Sequence, residues 1–353
     1  MKSLFTLILA GLSAAAPAPT GHPSAVPVAA PSAPATLVAK NALSTYPGAA
    51  LLGAGIEGCS VDAAGNMYAV NATHMISLSD SKVLLQGPGG GTSHFASSRF
   101  TRTYGTLVGD AAAHRLLVAA TNTYFMTEAK MLQPNDFTVS RDESKIYLSG
   151  MNYSANTGDL WVYDVTTKTP VSVCLDGVKT FRMNGIELSP DDKTLYVTSA
   201  ENGVPEGMAG ASVYKFSIDS SGRPTKPVLA IDLYKELEKK GLDPKKAGMD
   251  PDGMRMDAKG TLFMTLNAFG RVLMWDTSKP ACESQVIELD TISFPTNLEL
   301  GGRDGKTLVV IGKCKADKTG TSSCVDSYQH TTPGRAWTNL QVSRRGGSYG
   351  YGA

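Results

Sequence analysis

A hairpin-sized pattern recurs six times along this chain, and a chain that repeats one two-stranded unit must bury each copy against its neighbours. The copies are 56–70 (IEGCSVDAAGNMYAV), 104–118 (YGTLVGDAAAHRLLV), 135–148 (NDFTVSRDESKIYL), 184–197 (NGIELSPDDKTLYV), 252–264 (DGMRMDAKGTLFM) and 297–310 (NLELGGRDGKTLVV). The second is the loosest. Each alternates apolar and polar residues across a turn built from Asp, Gly, Asn or Pro, as a β-hairpin requires. Further strand-like runs follow several copies, at 160–163, 212–216 and 272–275, and others precede the next, at 227–231 and 284–289. About four strands per unit predict an all-β chain folded as a six-bladed β-propeller with four-stranded blades. The turns at Asp62, Asp110, Arg141, Pro190, Asp257 and Gly302 are unevenly spaced, which points to a degenerate propeller with insertions. One insertion reads as a helix, 233–246, with Leu233 and Leu237 on one face; it is expected at the rim near the entrance. Since no radial sheet can stand alone, residues 36–353 are expected to form a single domain.

The start of the chain carries a different signal. Met1-Lys2, an apolar stretch from Leu4 to Leu12 and the small residues 14–18 predict a secretory signal peptide over 1–18, and 19–35 is a Pro/Ala-rich lead-in. Secretion gives the five cysteines meaning. Cys314 and Cys324 flank a small-residue loop and are a candidate disulfide, leaving Cys59, Cys174 and Cys282. No pair has C-x-x-C spacing, which disfavours a thiol redox or zinc site. Asn71-Ala-Thr and Asn152-Tyr-Ser are glycosylation sequons. With 33 basic and 32 acidic residues and no basic block, neither nucleic acid nor a membrane surface is expected as a partner; a small-molecule substrate is. The oligomeric state is open.

The copies resemble the gluconolactonase/regucalcin family. The resemblance is carried by "GIEG" with "VDAAGNMYAV", by "NDFTVSRDESKIYLSG", "MNGIELSPDDKTLYVTS" and "DPDGMRMDAKGTLFM", and by "PTNLELGGRDGKTLVV", over residues 50 to about 312. It implies that the strands opening each blade converge on the axis and present a Glu, an Asn and an Asp to one divalent ion. By motif these are Glu57, Asn184 and Asp252. A carboxylate, an amide carbonyl and a second carboxylate are hard oxygen ligands, suited to Ca²⁺ first, with Mg²⁺, Mn²⁺ or Zn²⁺ as alternatives. Asn135 matches a further family position that faces the same cavity and binds substrate, and Asn297 is a second candidate there. The regucalcin branch carries an Arg two residues before that Asn. Here the residue is Gln133, which argues against a sugar-acid lactone held by a cationic clamp.

The implied activity is metal-dependent hydrolysis of a lactone or related ester, with Asp252 as general base. Two other readings stand beside it: a natural-product enzyme performing cyclisation, condensation or isomerisation on the same scaffold, and a non-enzymatic binding propeller. His74, His94, His114 and His330 lack metal-ligand spacing, the Gly-rich 87–91 segment lacks the Lys-Ser/Thr of a phosphate loop, and no G-x-S-x-G elbow supports a serine hydrolase. Residues 335–342 read as a closing strand and 346–353 as a disordered tail.

Overall fold

The structure is a computed structural model that describes residues 36–88, 91–175, 180–203, 208–317 and 319–342. The expected signal peptide at 1–18, the lead-in at 19–35 and the tail at 346–353 lie outside the described residues. Thr36–Ala353 forms one compact unit.

The architecture is all-β, with short helices only at the connections. Four sheets are four-stranded antiparallel meanders, opened by the strands Glu57–Val61, Phe95–Thr101, Gln133–Val139 and Ile186–Leu188. Two more meanders, opened by Asp250–Met256 and Ile292–Gly301, are joined into one eight-stranded sheet. The join is the strand Leu37–Asn41. It runs parallel to Gln285–Leu289, with Leu37 opposite Ile287, and antiparallel to Ser323–Gln329, with Lys40 opposite Ser327. It thereby supplies the fourth strand of the last meander.

The opening strand of each meander lies against the opening strand of the next, and the sixth returns to the first, so six inner strands form a closed ring. Apolar packing follows the same circle. One buried cluster fills each gap between consecutive meanders, from Val70, Leu85, Phe95 and Val108 in the first gap to Cys59, Val61, Val309 and Ile311 in the last. The hairpin alternation in the sequence has this cause: successive side chains on an inner strand face opposite gaps, and while one set is apolar the other forms buried polar pairs such as Ser60–Ser98, Thr138–Glu187 and Arg255–Glu299. The arrangement is propeller-like.

Three local expectations change. The copy at 104–118 is out of phase with the others. It covers the second and third strands of its meander, Gly105–Asp110 and Arg115–Val118, whereas the inner strand is Phe95–Thr101. The phase is hidden because the Thr101–Gly105 turn is closed by Thr101 Oγ1 donating to Gly105 O (2.8 Å) and not by an Asp or Gly-Gly pair. The helix expected over 233–246 is two helices, Leu233–Lys239 and Pro244–Ala247, broken at Gly241 and restarted by Asp243, whose carboxylate accepts from Lys246 N (3.0 Å). Leu233 and Leu237 are both buried. The closing strand expected at 335–342 is a helix, Arg335–Gln341, entered through Gly334. Its alternation misled because Ala336, Trp337 and Leu340 also lie on one helical face.

Candidate functional site

The inner strands do not run straight into the ring. In five of them the ladder slips by one residue at the same point, around Gly58, Ala96, Asn135, Asp252-Gly253 and Thr296. A β-bulge at a common height turns one side chain per strand toward the axis. Two of these turning points carry an oxygen ligand followed by glycine, Glu57-Gly58 and Asp252-Gly253, and a third such pair, Asn184-Gly185, leads into the inner strand Ile186–Leu188, whose ladder runs without a slip. The glycines allow the strands to close up. A Cβ on Gly58, which has a φ of 24°, would lie 2.5 Å from Ser97 Cα; one on Gly185 would lie 2.2 Å from Asp252 O, and one on Gly253 2.5 Å from Asn297 Cγ.

The three side chains are brought together. The Asn184 side chain hydrogen-bonds Asp252, and Glu57 lies close enough for its charge to act on Asp252. Asn267 Nδ2 donates to Asp252 Oδ2 (3.0 Å). The Asn184 segment is fixed from behind, its N–H donating to Thr198 Oγ1 (3.3 Å) and its carbonyl accepting from Ser149 Oγ. Asn184 Oδ1 is buried and has no hydrogen-bond partner among the described residues. An orphaned carbonyl oxygen beside the buried Asp252 and the half-buried Glu57 carboxylate is the donor set a hard cation takes, so the residues present fit a divalent ion.

The electrostatics agree. Burial, then the charge of Asp136, pushes Glu57 up to about 8, and Lys313 acts in the opposite direction. Asp252 is held well above the usual carboxylate range by burial first, then by Glu57 and Asp250, against the bonds from Asn267 and Asn184. Two carboxylates therefore face each other in a dry place, each resisting ionisation, and a cation between them would reverse that.

Deeper in the ring every buried charge is matched. Arg255 donates from Nη1 to Asp136 (2.9 Å) and from Nε to Glu299 (3.0 Å), and Arg99 Nη2 reaches Asp136 at 3.1 Å. Below them Arg335, from the last helix, pairs with Glu187 at 3.1 Å and donates to Ser189 O (3.2 Å) and Val139 O (3.0 Å). The helix also ties Gln341 Nε2 to Ala63 O (2.8 Å) and seats Trp337 against Gly305, so it closes the end of the ring opposite the carboxylates.

The remaining expected residues divide. Asn135 is half-buried at its bulge, beside the buried Asp136. Asn297 is buried, its Oδ1 accepts from Leu298 N (2.9 Å) and it packs on Gly253. Cys314 and Cys324 form the expected disulfide, with Cα atoms 5.1 Å apart. Cys59 is a free, fully buried thiol pushed up by burial and by Glu299. Asn152 is exposed, whereas Asn71 donates to Leu52 O (3.0 Å) and accepts from His74 N (2.8 Å), which makes it a poor glycan acceptor. The histidines do not approach the carboxylates; His330, for one, binds Asp257 (2.8 Å). Sequence reasoning missed Asn267, Asp250 and Arg182. Their signal was present: Asn267 ends the strand paired with Asp250, and Arg182 and Asp250 stand two residues ahead of Asn184 and Asp252.

Known proteins match this picture. Part of the chain is 39% identical, over 82 residues, to a gluconolactonase of Zymomonas mobilis; the match spans 23% of this chain and only 20% of that protein. A luciferin-regenerating enzyme superposes with a TM-score of 0.62 at 14% identity, over 84% of this chain and 97% of that one. A calcium-binding regucalcin from Agrobacterium tumefaciens gives 0.58 at 18% identity, over 85% and 98%. The hydrazine synthase of Kuenenia stuttgartiensis gives 0.55 at 12%, over 78% and 84%, so this fold is shared by unlike chemistries. The family model described as the SMP-30/gluconolactonase/LRE-like region matches residues 53–312, and the chain belongs to that family.

Proposed function

We propose that this chain is a secreted six-bladed β-propeller that hydrolyses a lactone or related ester at a divalent cation, Ca²⁺ first, held by Glu57, Asn184 and Asp252. The observation that carries the reading is the orphaned, buried Asn184 Oδ1 in the same cluster as the Asp252 and Glu57 carboxylates. Six meanders around one ring support the reading of six blades, with the strand Leu37–Asn41 as the last strand of the sixth.

When bound, the cation supplies Lewis-acid polarisation of the ester carbonyl and charge for the developing oxyanion. The protein's own residues do the rest. Asp252 takes the proton from the attacking water as the water oxygen bonds to the acyl carbon. The same proton then passes to the ring oxygen as the carbon–oxygen bond breaks, leaving the hydroxy acid. Asn267 holds Asp252 Oδ2, which fixes the carboxylate plane and leaves Oδ1 for the water. Asn135 lies on the neighbouring inner strand, where its amide can orient the substrate. Bulged strands packed in a closed ring set these groups in place before substrate arrives, which is the source of the proximity effect.

The test is a screen of simple lactones with purified protein, with and without chelator, beside elemental analysis. Hydrolysis that stops on chelation and returns with Ca²⁺ is expected. Metal content near zero together with chelator-resistant turnover would overturn the reading, and a bound cation without turnover would leave a binding propeller.

A further inference from the structure

Beside the candidate site, on the same face of the ring, lies a cavity of about 360 Å³ walled in part by Leu132, Gln133, Met151 and Tyr153. Its position follows from the strands. Gln133 stands two residues ahead of Asn135 on one inner strand, and Met151 is its partner across the ladder. The Tyr153 ring is 60% exposed, an unusual state for an aromatic held rigidly.

The rigidity is built from the neighbouring meander. The Arg182 guanidinium lies 4.5 Å from the Tyr153 ring centroid and covers one face. Arg182 is itself only 2% exposed, with Nε donating to Asn202 Oδ1 (2.7 Å) and Nη2 to Asp250 Oδ2 (2.8 Å). Asn202 also donates from Nδ2 to Tyr153 O (2.8 Å) and from its N–H to Asn156 Oδ1 (3.0 Å), bolting the 153–156 turn to the next sheet. Tyr153 is thus a fixed platform with one face on a buried cation and the other turned outward. Arg182 and Asp250 each stand two residues from a proposed cation ligand, so the platform and the ligands share one scaffold.

We infer that this cavity is the substrate-specificity subsite of the proposed hydrolase, and that it takes a flat aromatic substituent of the lactone, stacked on the outer face of Tyr153. The inference rests on the proposed reaction. Leu132 and Met151 give an apolar wall, and a thioether adapts well to an aromatic edge. The cation behind the ring fixes its position and polarises it. Gln133, where a clamp for an acidic sugar would need a cation, suits a neutral substrate. Tyr153 binds the substituent; Arg182 is a positioning residue that acts through it.

The test uses non-hydrolysable probes, so that it stands apart from turnover: δ-valerolactam and its 6-phenyl derivative, titrated calorimetrically against glycan-free protein with Ca²⁺ present and again with chelator. The phenyl probe should bind at least about tenfold more tightly than the parent. Tyr153→Ala should remove about five- to tenfold of that gain and leave the parent lactam unchanged, while Tyr153→Phe keeps it. Arg182→Lys, which retains charge without the planar fork, should fall between. Tyr153 is exposed, so its variants should melt with wild-type. Equal affinity for the phenyl probe in wild-type and Tyr153→Ala would overturn the subsite whether or not the protein hydrolyses lactones. Loss of hydrolysis with phenyl binding intact would overturn the reaction and spare the subsite.

Discussion

The two ends of the ring use buried charge in opposite ways. At one end Arg99, Arg255 and Arg335 meet Asp136, Glu187 and Glu299, with the guanidiniums also donating to backbone carbonyls. At the other, the half-buried Glu57 acts on the buried Asp252 with a like charge, and desolvation drives both away from ionisation. A folded protein gains nothing in stability from the second arrangement. Matched charge marks what holds the ring shut; unmatched charge marks what the ring is for.

That contrast can be broken or sharpened in four ways. Asp252→Asn should lower lactone hydrolysis by about 10²–10⁴-fold while leaving the melting temperature of the metal-free protein unchanged or higher, measured by initial rates and calorimetry. A clear drop in melting temperature would place Asp252 with the matched charges. Arg255→Met should do the reverse at the closed end. It strands Glu299 in a dry interior, leaves Asp136 with Arg99 alone, and should cost about 3–5 kcal/mol of stability in denaturant titrations. Asn267→Ala removes the bond to Asp252 Oδ2 and should weaken Ca²⁺ binding by about 10–100-fold in a calorimetric titration, with no comparable loss of stability.

The smallest effect is in pH. Folded Glu57 keeps its proton up to about 8, whereas the unfolded chain releases it near the ordinary value of 4.5. In that window the unfolded state binds fewer protons, so stability of the metal-free protein falls as pH rises. Bound Ca²⁺ requires the ionised form, so the stabilisation it gives should grow over the same range. A metal-free melting temperature that rises from pH 5 to 8 would contradict the assigned burial.

The sequence made the ring legible because register survives divergence. Glu57, Asn184 and Asp252 are far apart in the chain but each stands, with its glycine, where an inner strand begins. What stayed hidden was set by contacts between meanders. Nothing local announces that Arg335 crosses the ring to Glu187, or that a stretch alternating like a strand would become the helix that closes it. The inner strand Phe95–Thr101 was passed over for the same reason: its turn is made by a threonine hydroxyl, a signal that reads as ordinary strand. Tyr153 escaped because an aromatic that meets a cation from the next sheet leaves no spacing to read.

The strand Leu37–Asn41 has a consequence for how the chain comes to be made. It is the first described strand to leave the ribosome, yet both of its partners, Gln285–Leu289 and Ser323–Gln329, belong to the last third of the molecule. Until synthesis is nearly complete it is an unpaired edge, with two rows of backbone groups open to any other nascent chain. Assembly from the first amino acid to the last can finish every sheet but the final one. The circle must then wait for its oldest piece, and a chain cut shortly before its end would be left with that edge exposed.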